Sequence, residues 1–420
     1  MIKELKKIQN HFLWNGKRAK IKHLTLCNSY ENGGLQSVDI ELKIKALQLS
    51  WIHRLFDQKE HQWKTIPRFL LIRFFGDINV FYHHFSPTGE ELRSFPLFYR
   101  NVFALWRDCS TCPITPASIL NQRIWNNDFI KIGNRPTIIR EFARANLNYV
   151  FQLFNHDGSI KTWDQVRTEF NLQNRSYFRY IQLVHAIPQD WRHMILPISV
   201  DMVPTQGILQ CTKLIPLDKL SSRHIYVILI RKRAHVPTSR AYYTNKFPST
   251  ENNWLKIYLL PRKVSTYGYD RIFQYKILNN VLYLNKKLFL FGKSTVSTCS
   301  FCSNADEDLL HLFANCHQTV SLWASLKLAL LPYLVLPDLE ERFALLGFYE
   351  ASPPQFKLIN HILILFKIYL YKSRDSGFLR IDGIMSKIRE TAKLELAIAP
   401  RDSVVYRIYE SKWSPLYDLL

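Results

Sequence analysis

Two adjacent aspartates occur nowhere in the 420 residues, so the chain has no Y-x-D-D sequence of the kind that carries the metal ions of a nucleic-acid polymerase. It also has no H-E-x-x-H, G-x-S-x-G, Walker or G-x-G-x-x-G sequence. Their absence removes zinc-hydrolase, nucleophile-elbow, P-loop and dinucleotide readings. Acids are scarce, 34 against 56 Lys+Arg, and form no cluster suited to two metal ions. The opening, Met1-Ile2-Lys3-Glu4-Leu5-Lys6-Lys7, has no apolar stretch behind it, unlike a secretory signal. The most apolar late run, residues 358–371, is broken by Asn360, His361 and Lys367. It is too short and polar for a bilayer and reads as a buried helix, so no membrane partner is expected. Seven cysteines, an odd number thinly spread, make no disulfide framework. They fit a reducing compartment, nucleus or cytoplasm, and not a secreted protein. Internal repeats and low-complexity tracts are missing as well.

What is present is apolar, aromatic and basic. A hydrophobic content of 47% with 14% aromatics excludes wholesale disorder. The net charge of +22 favours a polyanion such as RNA or DNA over an anionic membrane surface, and no small-molecule substrate is expected. The charge is local: residues 219–300 hold 15 Lys+Arg and 2 acids, Glu251 and Asp270, which is more than half of the excess. The first 60 residues add 11 bases against 6 acids, whereas residues 301–420 balance 13 against 14.

The apolar spacing predicts a mainly α, multi-subdomain helical protein with little β and a small CCHC zinc knuckle. Five segments are expected. Residues 1–60 form a helical segment in which Ile40, Ile44, Leu47, Trp51 and Leu55 give one apolar stripe over 40–56. Residues 61–215 are helices broken by prolines, one of them starting at Trp163. Residues 216–298 are the basic, aromatic-rich segment, with Ser221-Ser222 capping one helix and Asp270 read as the N-cap of another. Residues 299–330 form the knuckle, and 331–420 a C-terminal helical region. Helices are expected over 309–331, 356–372 and 384–398.

Cys299, Cys302, His311 and Cys316 read C-x2-C-x8-H-x4-C. Three thiolates and an imidazole at that spacing suit a tetrahedral Zn2+ whose four positions are all filled by protein, a structural site. Asp306, Glu307 and Asp308 beside them read as a solvated acidic turn, not as catalytic carboxylates. A second pair, Cys109-x2-Cys112, lacks an obvious companion pair, because Cys27 and Cys211 are remote, and reads as coincidence. Gly33-Gly34 reads as a turn.

Tyr242, Tyr243, Trp254, Tyr258, Tyr267, Tyr269, Phe273 and Tyr275 interleave with the bases of the same block. About two-thirds of such aromatics are expected in a core; exposed ones can stack on unpaired bases. Arg231, Lys232, Arg233, Arg262, Lys263, Arg271, Lys286 and Lys287 are the expected phosphate contacts, with Lys17, Arg18, Lys20 and Lys22 secondary.

The chain resembles the C-terminal part of the reverse transcriptase polyprotein of LINE-type (non-LTR) retrotransposons. The resemblance rests on Phe12-Leu13-Trp14-Asn15-Gly16-Lys17, on Asn28-Ser29-Tyr30-Glu31-Asn32-Gly33-Gly34-Leu35, and on Phe273-Gln274-Tyr275-Lys276-Ile277-Leu278-Asn279 with Asn285-Lys286-Lys287-Leu288-Phe289. It continues through the four Cys/His ligands, with Glu307 before the histidine and Trp323 after it, and through Ile359-Asn360-His361-Ile362. The cysteine block is its most specific part and the middle third its weakest. The resemblance implies a thumb, a connecting region and a zinc-bearing C-terminal domain that hold RNA template and target DNA. The polymerase and endonuclease parts of that family would lie upstream of Met1, so no catalytic residue carries over and no enzyme activity is expected. The alternative from another class is a zinc-stabilised helical scaffold for protein–protein interaction.

Overall fold

The computed structural model describes residues 2–419 except 86, 88, 110–114, 134, 137, 196–206, 211–212, 351–354 and 402. The fold is mainly α. Strand structure among the described residues is confined to two antiparallel pairs and a few isolated bridges. One pair joins Lys131–Ile132 to Arg135–Pro136, with Ile132 opposite Arg135; the other joins Gly207–Gln210 to Lys213–Pro216.

The chain forms two compact units, and both are discontinuous. The first comprises Met1–Lys6 and Asp39–Arg233; the second comprises Lys7–Val38 and Ala234–Leu420. These bodies cut across the five expected segments: residues 1–60 divide between them, and the basic segment divides after Arg233.

At the centre of the first unit is the Ile40–Phe56 helix, with the predicted bounds. Asp39 caps it, accepting from Leu42 N–H at 3.1 Å, which satisfies one of the free donors of the first turn. The buried face is Leu42, Ala46, Leu49, Ile52 and Leu55, which shares only Leu55 with the predicted stripe; Leu47 is exposed. This helix is apolar on most sides, so spacing alone offers two stripes. Packing against the Ser222–Arg233 and Leu97–Cys109 helices selects one. Each fully buried Leu or Ile there contributes roughly 1.5–3 kcal/mol. Two hydrophobic clusters result. One is dominated by rings, among them Phe75, Phe81, Phe95, Phe103 and Trp106. The other, around Trp125, Phe142, Leu147 and Tyr180, is built from residues 119–195. The expected starts at Ser221 and Trp163 are both seen: Ser221 Oγ accepts from His224 N–H at 3.3 Å, and Thr162 caps the Trp163–Glu169 helix.

In the second unit the Phe356–Ser373 helix is buried almost all round, as the run 358–371 predicts. It packs against the Trp254–Val264, Gly268–Leu278, Ile381–Ile398 and Val404–Trp413 helices. Its polar residues are answered from those neighbours, as buried polar groups must be. Asn360 Oδ1 accepts from Phe348 N–H at 2.7 Å, and Lys367 Nζ donates to Gln274 Oε1 at 2.6 Å. His361 Nε2 lies 3.1 Å from Asp270 Oδ2. Lys412 Nζ lies 2.6 Å from His361 Nδ1 and donates to Glu395 Oε2 at 2.7 Å. Asp270 is therefore not the predicted N-cap. It sits inside the Gly268–Leu278 helix, buried, accepting from Ser265 Oγ at 2.8 Å.

The Lys7–Val38 stretch lies on this same body. Its Tyr30–Asn32 turn packs on the Trp254–Val264 helix, and Asn28 Nδ2 donates to His235 O at 2.9 Å. Gly33, at φ +73°, closes the turn, and a Cβ on Gly34 would lie 2.0 Å from Asn28 O. Only glycine fits that approach, so the pair is a turn, as expected. No helix among the described residues is long and apolar enough to cross a membrane.

Candidate metal centre

Cys299 begins a tight turn. Its N–H donates to Ala305 O at 2.8 Å, Ser303 N–H returns to Cys299 O at 3.0 Å, and Thr298 and Asp306 bridge across the base. Ser303 takes φ +54°, the left-handed conformation that lets the chain reverse so sharply. Cys299 and Cys302 thereby present both sulfurs to one side, and Phe301 N–H points at Cys299 Sγ from 3.5 Å.

The other two ligands come from a π-turn over His311–Asn315, closed by Cys316 N–H to His311 O at 2.7 Å. With an i→i+5 bond, residues five apart stand one above the other. An H-x4-C spacing on that turn therefore brings imidazole and thiol to one face, which α-helical winding would not. Leu309, Leu310, Leu312 and Phe313 anchor the turn in the core of the second unit. Asp308 Oδ1 accepts from His311 N–H at 2.9 Å.

The donor atoms of Cys299, Cys302, His311 and Cys316 all lie within 4.8 Å of one another. Cys299 Sγ and Cys316 Sγ are 3.9 Å apart, and Cys302 Sγ and His311 Nε2 are 3.2 Å apart. Ligands at about 2.3 Å from a tetrahedral ion would sit about 3.8 Å from each other. The four side chains are close enough together to hold a metal ion. Cys316 also ends in front of the His317–Leu330 helix. The Cys299 thiol first, then the Thr319 and Gln318 N–H groups, hold Cys316 down to about 4, whereas donation to Cys316 pushes Cys299 up. A sulfur already favoured as thiolate is a ready ligand.

Glu307 corrects the reading of a solvated turn. Asp306 is exposed, taking Ser297 Oγ at 2.6 Å and Lys286 at 3.3 Å. Glu307 is fully buried. It accepts from Asn285 N–H at 3.1 Å and Ser300 N–H at 2.9 Å, and pairs with Arg374 at 2.5 Å. Arg374 arrives from just beyond the end of the Phe356–Ser373 helix, so this carboxylate ties the cysteine turn to the core. Local sequence gave no signal for it, because its partner is remote in the chain.

The basic residues fall into two sets. Arg231, Lys232 and Arg233 end the Ser222–Arg233 helix of the first unit, all exposed, with Arg233 3.7 Å from Glu41. Lys17, Arg18, Lys20, Lys22, Arg262, Lys263, Arg271, Lys286 and Lys287 belong to the second unit. There the two stretches of chain meet. Arg262 lies 3.7 Å above the Tyr30 ring, and Lys20 lies 3.7 Å above the Tyr283 ring. Lys17, Arg18, Lys22, Arg262 and Lys263 are exposed. Arg271 is half-buried and donates to Ser265 O at 2.6 Å. Lys287 turns inward on Asn280 Oδ1 at 2.7 Å, and burial lowers its pKa. Lys286 and Lys287 border a cleft of about 230 Å3 shared with Tyr242, Asn280, Leu290 and Asp308.

Of the eight interleaved aromatics, Tyr243, Trp254, Tyr258, Phe273 and Tyr275 are buried, and Tyr242, Tyr267 and Tyr269 are exposed. That is close to the expected division between core and surface. The pair Cys109 and Cys112 lies outside the described side chains, as does Cys211. The described cysteines, Cys27, Cys299, Cys302 and Cys316, are free of disulfides.

A scan of protein-family models finds none that matches this chain, and a search of curated proteins finds no match either.

Proposed function

We propose that this protein is a non-catalytic nucleic-acid-binding element whose second unit is held together by a structural Zn2+ at Cys299, Cys302, His311 and Cys316. The observation that carries the reading is the convergence on one body of the Lys7–Val38 cations, the 262–287 cations and the Cys/His centre. Lys and Arg heads release counterions from phosphates, while Tyr242, Tyr267 and Tyr269 offer faces for unpaired bases. The four protein ligands leave no open position for a reacting water, so the metal is structural. The same arrangement suits the C-terminal part of a LINE-type reverse transcriptase, gripping RNA and DNA in the nucleus or cytoplasm while the chemistry is done elsewhere.

The test is binding to a structured RNA and to single-stranded DNA across a salt series. Affinity should fall steeply with salt, and salt-independent affinity overturns the reading. Primer extension or nicking by the purified chain, abolished by one carboxylate substitution, would overturn the non-catalytic part.

One observation favours a protein-binding scaffold as a second reading. Phe289, Leu290 and Phe291 are consecutive and 49%, 73% and 61% exposed, directly before the cysteine turn. Charge reversal of Lys286, Lys287 and Arg231, Lys232, Arg233 with no loss of RNA binding would decide for it.

A further inference from the structure

In the first unit, residues from both hydrophobic clusters line a cleft of about 600 Å3. Clefts where two packed bodies meet are common ligand sites. The walls carry four arginines, Arg73, Arg123, Arg140 and Arg144, against one carboxylate, Glu91. Glu91 is committed to Asn126, whose Nδ2 donates to its two oxygens at 3.1 and 2.9 Å. Asp77, the other acid whose charge reaches Arg123, is held by Tyr149 Oη at 2.9 Å and Asn79 N–H at 2.8 Å.

The arginines are therefore left facing space. Arg140 and Arg144 stand at i,i+4 on the Arg140–Arg144 helix, so both leave from one face, and both are exposed. Neither makes an ion pair with a carboxylate among the described residues. Among the described residues Arg73 meets the rings of Phe69 and Phe74, at 5.8 and 5.9 Å, and no carboxylate. Arg123 is the decisive group. Its Nε and Nη1 are buried with no hydrogen-bond partner among the described residues, and its guanidinium rests 5.8 Å from the Phe85 ring. Buried cationic donors are almost always answered in folded proteins, because leaving them dry is costly. Asn126 Oδ1 on the same wall is also buried without a donor among the described residues. The wall thus suits an oxyanion with several acceptor oxygens and, beside it, a hydroxyl or N–H. Guanidinium forks match phosphate oxygens two at a time.

We propose that this cleft is a binding site for the phosphate groups of a phosphorylated ligand, with the half-buried Arg123 as the anchor and Arg140 and Arg144 as the exposed clamp. It uses none of the residues of the metal centre or of the second unit's basic face, so it stands or falls independently of the nucleic-acid reading.

The test is calorimetric titration of the full chain with inorganic phosphate, pyrophosphate, ATP and a short single-stranded oligonucleotide at low salt. At least one should bind, and the double variant Arg140→Gln/Arg144→Gln should weaken that binding about tenfold or more. Arg123→Met should abolish it while the melting temperature holds or rises, because an unanswered buried cation has been removed. If that variant fails to fold, the exposed pair still decides. Binding of pyrophosphate or ATP without the oligonucleotide identifies a free phosphorylated compound. An oligonucleotide that pyrophosphate displaces identifies backbone phosphate; both outcomes support the site. No binding by any of the four probes, or binding unchanged in the Arg140→Gln/Arg144→Gln variant, overturns it.

Discussion

In the second unit Arg374 is enclosed beside the cysteine turn, and its two terminal nitrogens are both used. One reaches Glu307 at 2.5 Å and Asn285 Oδ1 at 2.8 Å; the other reaches Tyr283 O at 3.3 Å. In the first unit Arg123 is half-buried beside Phe85, with two buried nitrogens that have no hydrogen-bond partner among the described residues. The two arginines have the same chemistry and comparable surroundings, and they imply different things. A buried charge whose terminal nitrogens meet a carboxylate is part of the architecture, and removing that carboxylate damages the fold. A buried charge without partners at the wall of a cleft reports a group that the protein binds. The Asp270–His361–Lys412–Glu395 network belongs with the first kind, since each side chain there has a partner within the core.

The contrast can be broken in several places. The largest effect is expected at the metal centre. Cys299→Ser should abolish stoichiometric zinc and cost the second unit several kcal/mol, as ligand loss does when binding energy is also folding energy. Metal analysis and thermal melting check it, and full zinc occupancy in the variant would refute the assignment. Next, Glu307→Ala should destabilise by about 3–5 kcal/mol, because it strands Arg374 in the core. A loss below about 1 kcal/mol in denaturant melts would show that the pair is solvated after all.

Lys367 gives a third test, with the opposite sign. Burial lowers its ammonium from 10.5 to about 7. Between those values the unfolded chain binds a proton that the folded one does not, so stability should climb from pH 7 towards pH 10. The full penalty stays in place below pH 7. Lys367→Met should remove that slope and raise stability at neutral pH by about 2–4 kcal/mol, after allowing for the partner that Gln274 loses. A slope unchanged in the variant would place the titration elsewhere. The smallest effect concerns the basic face. Arg262→Gln or Lys20→Gln should each lower the slope of log affinity against log salt by about 0.7–0.9 for a single lost phosphate contact, with little change in melting temperature.

Sequence alone revealed what is local. The Ile40–Phe56 helix was readable because apolar residues recur along it at helical spacing, and the four Cys/His ligands because their spacing is short and their chemistry rare. Mainly helical character followed from the same periodicity. What depends on distant partners was not readable. Glu307 looks like one acid of a surface turn until Arg374 is placed on it. Asp270 looks like a cap until Ser265 and His361 enclose it. Arg73, Arg123, Arg140 and Arg144 are spread from position 73 to position 144, so no single window of sequence marks their cleft. The choice between the two apolar stripes of the Ile40–Phe56 helix needed the helices that cover it.

The interleaving of the two units also sets an order of assembly on the ribosome. Residues 7–38 emerge early, yet the helices they pack on begin after Ala234. At ordinary synthesis rates roughly ten to forty seconds separate the two stretches. For that time Lys20 and Tyr30 must wait without their partners, while the whole 39–233 stretch of the first unit is already available to fold. The second unit is therefore the later product of translation, and any chain that stops short of it leaves its own beginning unpaired.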